Sequence, residues 1–366
     1  MTKAEVFFTD MRAEGKSILD KMTRVVEAAG LQRIELKDKF VALKLHFGEP
    51  GNLAYIRPNY VARIASLVRA GGGSPFLTDA NTLYKGRRSN AVDHLRAASE
   101  NGFNELSTGC DVIIADGLRG TEYREVPLGL KHCRFAKIGS AIADADVIVS
   151  LTHFKGHEQT GFGGVMKNLG MGSGSVGGKL EMHSDSKPSI QLDNCVGCGA
   201  CWKNCRHDAV HDRGDHKAVI DAAKCVGCGQ CIAMCRYDAA VPTWNAASVQ
   251  EKIAEYALAA VKGKPAFHVS FLMDISPDCD CWGHNDRAIV PNLGIAASTD
   301  PVALDQACMD LVAAAPSLAA SALEGRGTPG EDKFHIVHAR TDGAIGLAYA
   351  ESIGLGTRAY TFTEVR

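Results

Sequence analysis

The sequence predicts an α/β fold: a mostly parallel sheet with flanking helices, interrupted by a small inserted α+β unit. Three features predict it. Short β-rich runs alternate with helical apolar patterns, both before and after the middle of the chain. The runs at residues 112–115 and 147–151 are short and almost wholly apolar, as strands buried on both faces of a parallel sheet are. Between the two α/β halves, eight of the 13 cysteines crowd into residues 195–235, a window of 41.

The elements follow in order. Residues 6–9 read as the first strand. Residues 16–29 follow as a helix, with Ile18, Met22, Val25, Val26 and Ala29 on one face. Residues 41–47 are a strand. Pro58 then sits in a first helical turn, where its missing N–H costs nothing. Val61, Ile64, Ala65 and Val68 form that helix's apolar stripe, and Gly71, Gly72 and Gly73 end it. Residues 75–78 read as strand and 89–100 as helix. The pattern breaks after His153, where nine glycines fall between residues 156 and 178. Helical periodicity returns at 248–261, followed by strands at 266–271 and 294–297. Asp300 is placed to cap a helix that Pro301 opens and Val302, Leu304, Ala307 and Leu311 continue. A last helix at 344–353 closes on Gly354. The simplest organisation is one core built from residues 1–188 and 243–366, with residues 189–242 inserted.

A chain of 366 residues can bury a sizeable core. Its 46% hydrophobic and 22% charged residues are ordinary for a soluble globular protein. A net charge of −2 gives nucleic acid no global electrostatic claim, and no basic tract accompanies the cysteines. The first residues lack a basic n-region and a long apolar h-region, and no run approaches the roughly 18 apolar residues of a membrane helix. Crowded cysteines argue against a disulfide-stapled secreted fold, which would spread its bridges. The expectation is a cytoplasmic protein with neither membrane nor nucleic acid as partner.

The cysteine window repeats with a period of 30 residues. Cys195, Cys198, Cys201 and Cys205 form one C-x2-C-x2-C-x3-C motif; Cys225, Cys228, Cys231 and Cys235 form the other. Three cysteines at two-residue intervals wrap a tight loop around three corners of a cubic iron–sulfur cluster, and the intervening glycines let the backbone turn. The fourth is carried off by a short helix to the other cluster. Cys195, Cys198, Cys201 and Cys235 are therefore expected to hold one 4Fe–4S cluster, and Cys225, Cys228, Cys231 and Cys205 the second. The alternative is structural zinc, which usually pairs two Cys-x-x-Cys knuckles per ion; four cysteines within 11 residues, twice, is a poor pattern for it. Residues 189–242 resemble the bacterial two-cluster ferredoxins. Those motifs usually end Cys-Pro, whereas here Arg206 and Arg236 follow the fourth cysteines. A cation beside a cluster favours its reduced form, so potentials above those of a Cys-Pro variant are expected. The resemblance implies cluster spacing suited to electron transfer, hence a redox partner protein. Side-chain charges in the insert cancel, but each oxidised cluster with four thiolates carries about −2, so a negative patch is expected.

The glycine-rich segment follows a strand end, where open α/β sheets bind ligands. An amide-rich loop with Lys155, Lys167 and histidines suits an anionic small molecule; the alternative is a lid or packing loop. Gly172, Gly174 and Gly177 match G-x-G-x-x-G, but without the strand and helix that a dinucleotide site needs. His46, His153, His157 and His183 are candidates for ligands or proton transfer, or for ordinary polar contacts. Cys279, Asp280 and Cys281 offer two thiols and a carboxylate for a metal or substrate, or two thiols buried in a turn. Cys110, Cys133 and Cys308 lie in apolar runs and read as core thiols.

Residues 44–48 (Lys44-Leu45-His46-Phe47-Gly48), the 153–183 stretch, residues 278–283 around Cys279 and Cys281, and Ser298 to Asp305 together resemble the iron–sulfur-centre family built on domain of unknown function 362. That resemblance implies an α/β core with a ferredoxin insert and supplies no reaction. The expectation is an iron–sulfur redox protein, with Lys155 and Lys167 holding an anionic group and a histidine moving a proton. The alternative is a non-catalytic electron carrier or assembly factor whose core recognises a partner.

Overall fold

The computed structural model describes residues 3–366 except 14, 84–85, 184–186, 227–229, 238 and 243–245. The core is an eight-stranded mixed sheet with helices on both faces. Across it run Tyr360–Glu364, Ala4–Asp10, Gly294–Ser298, Ala266–Leu272, Val147–His153, Phe40–Lys44, Ser74–Asp79 and Val112–Ile114. Only Gly294–Ser298 runs against its neighbours; the other seven point the same way.

The central strand Val147–His153 is buried at every position. Val147, Val149 and Leu151 join one core layer with the helices Ile18–Ala28 and Pro58–Ala70, while Ile148 faces the opposite layer. This two-sided burial explains the unbroken apolar runs of the sequence. The opposite layer holds the helices Ala246–Val261, Pro301–Ala314 and Gly343–Ser352. Asp300 caps Pro301–Ala314 by accepting from the Val302 and Ala303 amides. Cys110, Cys133 and Cys308 are buried.

The strand order reverses between two neighbours. From Phe40–Lys44 the chain moves outward through Ser74–Asp79 to Val112–Ile114, then returns to the other side of Phe40–Lys44 as Val147–His153. The crevice at the carboxyl ends of those two strands is a topological switch point, where open α/β sheets place ligands.

Two regions differ from the sequence reading. The glycine-rich stretch is regular: a hairpin of Lys155–His157 with Gly161–Gly163, then the helices Val165–Ser173 and Val176–His183. Its glycines are packing contacts. A Cβ on Gly170 would meet the Ile253 carbonyl oxygen at 2.1 Å, and one on Gly156 the Pro277 oxygen at 1.9 Å. Small residues let backbones approach closely, and the interspersed glycines interrupt the apolar face that Val165, Met166 and Leu169 begin, which masks the helical period in the sequence. The terminal strand Tyr360–Glu364 was also unread; it is largely exposed and exists by parallel pairing with Ala4–Asp10.

The inserted segment has its own small core. Pro188–Ile190 pairs antiparallel with Ala240–Pro242, and Val210–Asp212 with Ala218–Ile220. The short helices Ala200–Lys203 and Gln230–Ala233 lie within the two cysteine motifs, each carrying its third cysteine. Because its first and last strands pair, the insert leaves and re-enters the core at one place.

Candidate functional site

A pocket sits at the switch point. Its walls come from the segments following adjacent parallel strands: Lys44 and His46 after one, Asp79 and Arg88 after the next, His153 and Lys155 after Val147–His153, and Cys279 and Cys281 after Ala266–Leu272. The helices Val165–Ser173 and Val176–His183 close it with Lys167, Asn168 and Lys179. Among the described residues, five cationic side chains line it against one carboxylate, Asp79.

Each cation has a partner. Lys44, fully buried, reaches Asp79 at 2.9 Å and the Asn168 side-chain oxygen at 2.8 Å. Arg88 donates through Nε to Glu49 at 2.8 Å. Lys155 donates to the His153 carbonyl at 2.9 Å and lies 3.4 Å from Asp280. Lys179 donates to the Gly174 carbonyl, and burial lowers its ammonium to about pH 8, partly offset by Asp116 and Asp79. The carboxylates of Glu49 and Asp280 stand behind their cations, outside the lining, so positive groups face the cavity.

Cys279 and Cys281 are the site's sulfur pair. Their Sγ atoms are 2.9 Å apart, with Cys279 donating to Cys281. Lys167 donates to Cys279 Sγ at 3.3 Å. The shared S–H and the nearby Lys167 and Arg88 hold Cys281 below the ordinary thiol range, while the same hydrogen bond and burial push Cys279 up. The pair therefore carries one proton near neutrality.

Two histidines face this pair in matching fashion. His46 Nδ1 accepts from the Gly48 amide at 2.9 Å, and its Nε2 lies 3.5 Å from Cys281 Sγ. His157 Nδ1 accepts from the Gln159 and Thr160 amides at 3.1 and 3.2 Å, and its ring is hydrogen-bonded to Cys279. Burial and neighbouring cations keep both rings neutral, His157 at about 3. A neutral ring whose Nδ1 accepts must carry its proton on Nε2. Both therefore donate N–H to sulfur. A metal-bound histidine is arranged the other way, donating from the nitrogen that does not bind the metal.

The remaining candidates divide. Asp280 turns away from the thiols and holds His153 instead, Nδ1 to Oδ1 at 2.8 Å; His153 Nε2 meets the Met273 carbonyl at 2.8 Å. Burial raises the Asp280 carboxyl, but His153 and Lys155 outweigh it and hold it at about 2. With both nitrogens engaged, His153 is a brace. His183 is buried, does not line the cavity, and has no hydrogen-bond partner among the described residues. The first two amides of Val165–Ser173, which sequence reasoning offered to an anion, are taken by Asp305: its carboxylate accepts from Val165 at 2.7 Å and Met166 at 2.9 Å. Sequence reasoning did not single out Asp79, Arg88 or Lys179, nor Lys44 as a site residue. Lys44 and Asp79 do end strands that point at the switch point, which is a usable signal. Arg88 lies in a loop and carries none.

In the insert, Cys195, Cys198, Cys201 and Cys235 line one pocket. Backbone amides point at thiols around it: Ala218 to Cys195 at 3.4 Å, and Ala239 to Cys235 at 3.3 Å. The Ala209 amide reaches Cys205 at 3.3 Å. Cys225, Cys231 and Cys205 are described, with Cys231 buried; Cys228 lies outside the described residues. No group of three or more ligating side chains among the described residues closes on a single ion. Arg206, next to Cys205, donates to the carbonyl of Thr82, which lines the core cavity, at 3.1 Å.

The fold and this site define an α/β protein with a buried, cation-lined dithiol centre and an inserted cysteine-rich unit. The chain belongs to the DUF362 family, a domain of unknown function, whose profile matches residues 41–310. It is similar to thylakoid-associated protein sll1697 of Synechocystis sp. (strain ATCC 27184 / PCC 6803 / Kazusa), at 29% identity over 185 residues, 50% of this chain and 53% of that protein. The chain thus spans about half the length of that curated relative. Among solved structures, the lactate racemase apoprotein from Thermoanaerobacterium thermosaccharolyticum aligns with 74% of this chain and 51% of its own, at a TM-score of 0.39 and 13% identity. No helix among the described residues is long and apolar enough to cross a membrane.

Proposed function

We propose that this protein is an iron–sulfur redox protein whose insert carries two 4Fe–4S clusters and exchanges single electrons with the cation-lined site of the core. The observation that carries it is the cavity enclosed by Cys195, Cys198, Cys201 and Cys235, three thiols from the first motif and the last from the second. A single ion draws its ligands inward to one point; a cubic cluster needs thiolates spread around an open volume, with amide hydrogen bonds to sulfur tuning its potential. Cys225, Cys228, Cys231 and Cys205 would hold the second cluster. When bound, such clusters supply one-electron transfer at low potential.

The chain's own residues favour the core cavity over a docked partner as the far end of the path. Arg206, beside the proposed second-cluster ligand Cys205, donates to Thr82 on the cavity wall, and Lys167 of the glycine-rich segment touches Cys279. The cavity's cations, Lys155 and Lys167 among them, suit an anionic ligand. The carrier reading keeps one supporting feature: Cys198 and Val196 are exposed, which offers an external donor a place beside the first cluster.

Anaerobic purification with iron, sulfide and zinc counted tests the proposal. About eight irons and eight sulfides per chain are expected, with electron paramagnetic resonance signals appearing on dithionite reduction. About two zincs and no sulfide would overturn it.

A further inference from the structure

We propose that Cys279 and Cys281 form a redox-active dithiol, a two-electron disulfide/dithiol couple that stores electrons beside the ligand cavity. The electron source rests on the cluster reading above; the couple itself rests on the two sulfurs and their surroundings. The thiols are adjacent at 2.9 Å, against about 2.05 Å in a disulfide, so closing the bond asks for side-chain motion under about 1 Å. Their environment favours the reduced pair. Lys167 and the His157 ring face Cys279, and His46 Nε2 and the S–H of Cys279 face Cys281. Donors aimed at sulfur stabilise thiolate, which is both the nucleophile of disulfide exchange and the product of disulfide reduction. Reading the same four side chains as a metal site fails on the tautomer, because each histidine's lone pair already faces backbone amides.

The step balances as follows. The Sγ–Sγ bond accepts two electrons and breaks; the proposed 4Fe–4S clusters, when bound, would supply one electron each. One proton is taken up and rests as the S–H of Cys279, donated to the thiolate of Cys281. In reverse, the dithiol delivers two electrons and one proton to an oxidant in the cavity. A pair of one-electron centres thereby meets a two-electron one, which suits an anionic substrate reduced by two electrons, such as a carboxylate-bearing disulfide.

The test is a redox titration of the whole anaerobically purified protein in dithiothreitol buffers, with acid quenching, denaturation, maleimide labelling and peptide mass. The expected result is a two-electron Nernst curve between labelled thiols and a Cys279–Cys281 disulfide two mass units lighter, lost in Cys279→Ser. His46→Phe and Lys167→Met should each move the pH midpoint of Cys281 alkylation by iodoacetamide upward by about one unit, with the circular dichroism unchanged. Iron and sulfide are counted on the same sample. A pair that titrates in protein lacking iron supports the couple and overturns the cluster reading instead. Two thiols that never bridge, even with diamide, overturn the couple. So does a metal ion retained by the wild type in native mass spectrometry and lost in Cys281→Ser.

Discussion

Lys179 shows how burial sets chemistry one residue at a time. Its ammonium is lowered to about 8 because burial penalises its charge more than Asp116 and Asp79 support it. An anion in the cavity would favour the protonated form. Sulfate or phosphate should therefore bind more tightly below pH 8 and lose affinity as pH rises through that value. Lys179→Met should remove that inflection and weaken binding about tenfold; calorimetry between pH 6.5 and 9.5 reads both. Asp305 is the opposite case. Burial raises its carboxyl from 3.8 to about 7, against its two amide donors. The folded state then holds a proton that the unfolded chain releases, so this group's contribution to stability falls as pH rises from about 4 to 7. Asp305→Ala should flatten that slope in urea denaturation and cost about 1–2 kcal/mol for the lost helix cap.

At the scale of elements, the glycine-rich segment is where helix packing meets the site. Gly170 lies against the Ile253 carbonyl, so Gly170→Ala should force the helices Val165–Ser173 and Ala246–Val261 apart and cost about 1–3 kcal/mol, measured as a lowered denaturation midpoint. Gly172 contrasts with it. A Cβ there would meet the Lys44 ammonium, 2.4 Å away, which is the end of a flexible side chain. Gly172→Ala should leave the fold intact and displace Lys44 from Asp79, weakening anion binding in the same calorimetric assay. The strands and helices with periodic apolar faces, such as Val147–His153 and Pro58–Ala70, were legible because side chains record which face is buried. The glycine-rich helices were not, because glycines interrupt the apolar face that would record it. Tyr360–Glu364 was illegible for another reason: an exposed edge strand has no core-facing pattern, and only pairing with Ala4–Asp10 defines it.

For the whole molecule, the insert is predicted to be separable. Pro188–Ile190 and Ala240–Pro242 pair side by side, so replacing the segment between them with a short flexible linker closes a small gap. The shortened protein should keep the far-ultraviolet circular dichroism of the core and, on the cluster proposal, bind no iron. Arg206 links the two units through Thr82 and places a cation beside Cys205. On the cluster proposal, Arg206→Pro should lower the potential of the second cluster in voltammetry, since a nearby positive charge favours the reduced state. An unchanged potential would overturn the idea that Arg206 raises it.

The sequence by itself determined the alternating architecture and the paired cysteine motifs. Those rest on local spacing: apolar period within an element, and ligand period within a loop. It also supplied His46, His153, His157, Lys155, Lys167, Cys279 and Cys281 as candidates. Only the tertiary structure decided their roles, because these residues are up to 235 positions apart and meet only where parallel strands end together. Adjacent Cys279, Asp280 and Cys281 divide between two networks, the sulfurs facing His46, His157 and Lys167, and the carboxylate bracing His153. The direction of a histidine's hydrogen bond, which separates a thiolate donor from a metal ligand, is set by backbone amides. That information resides in the geometry of folded loops.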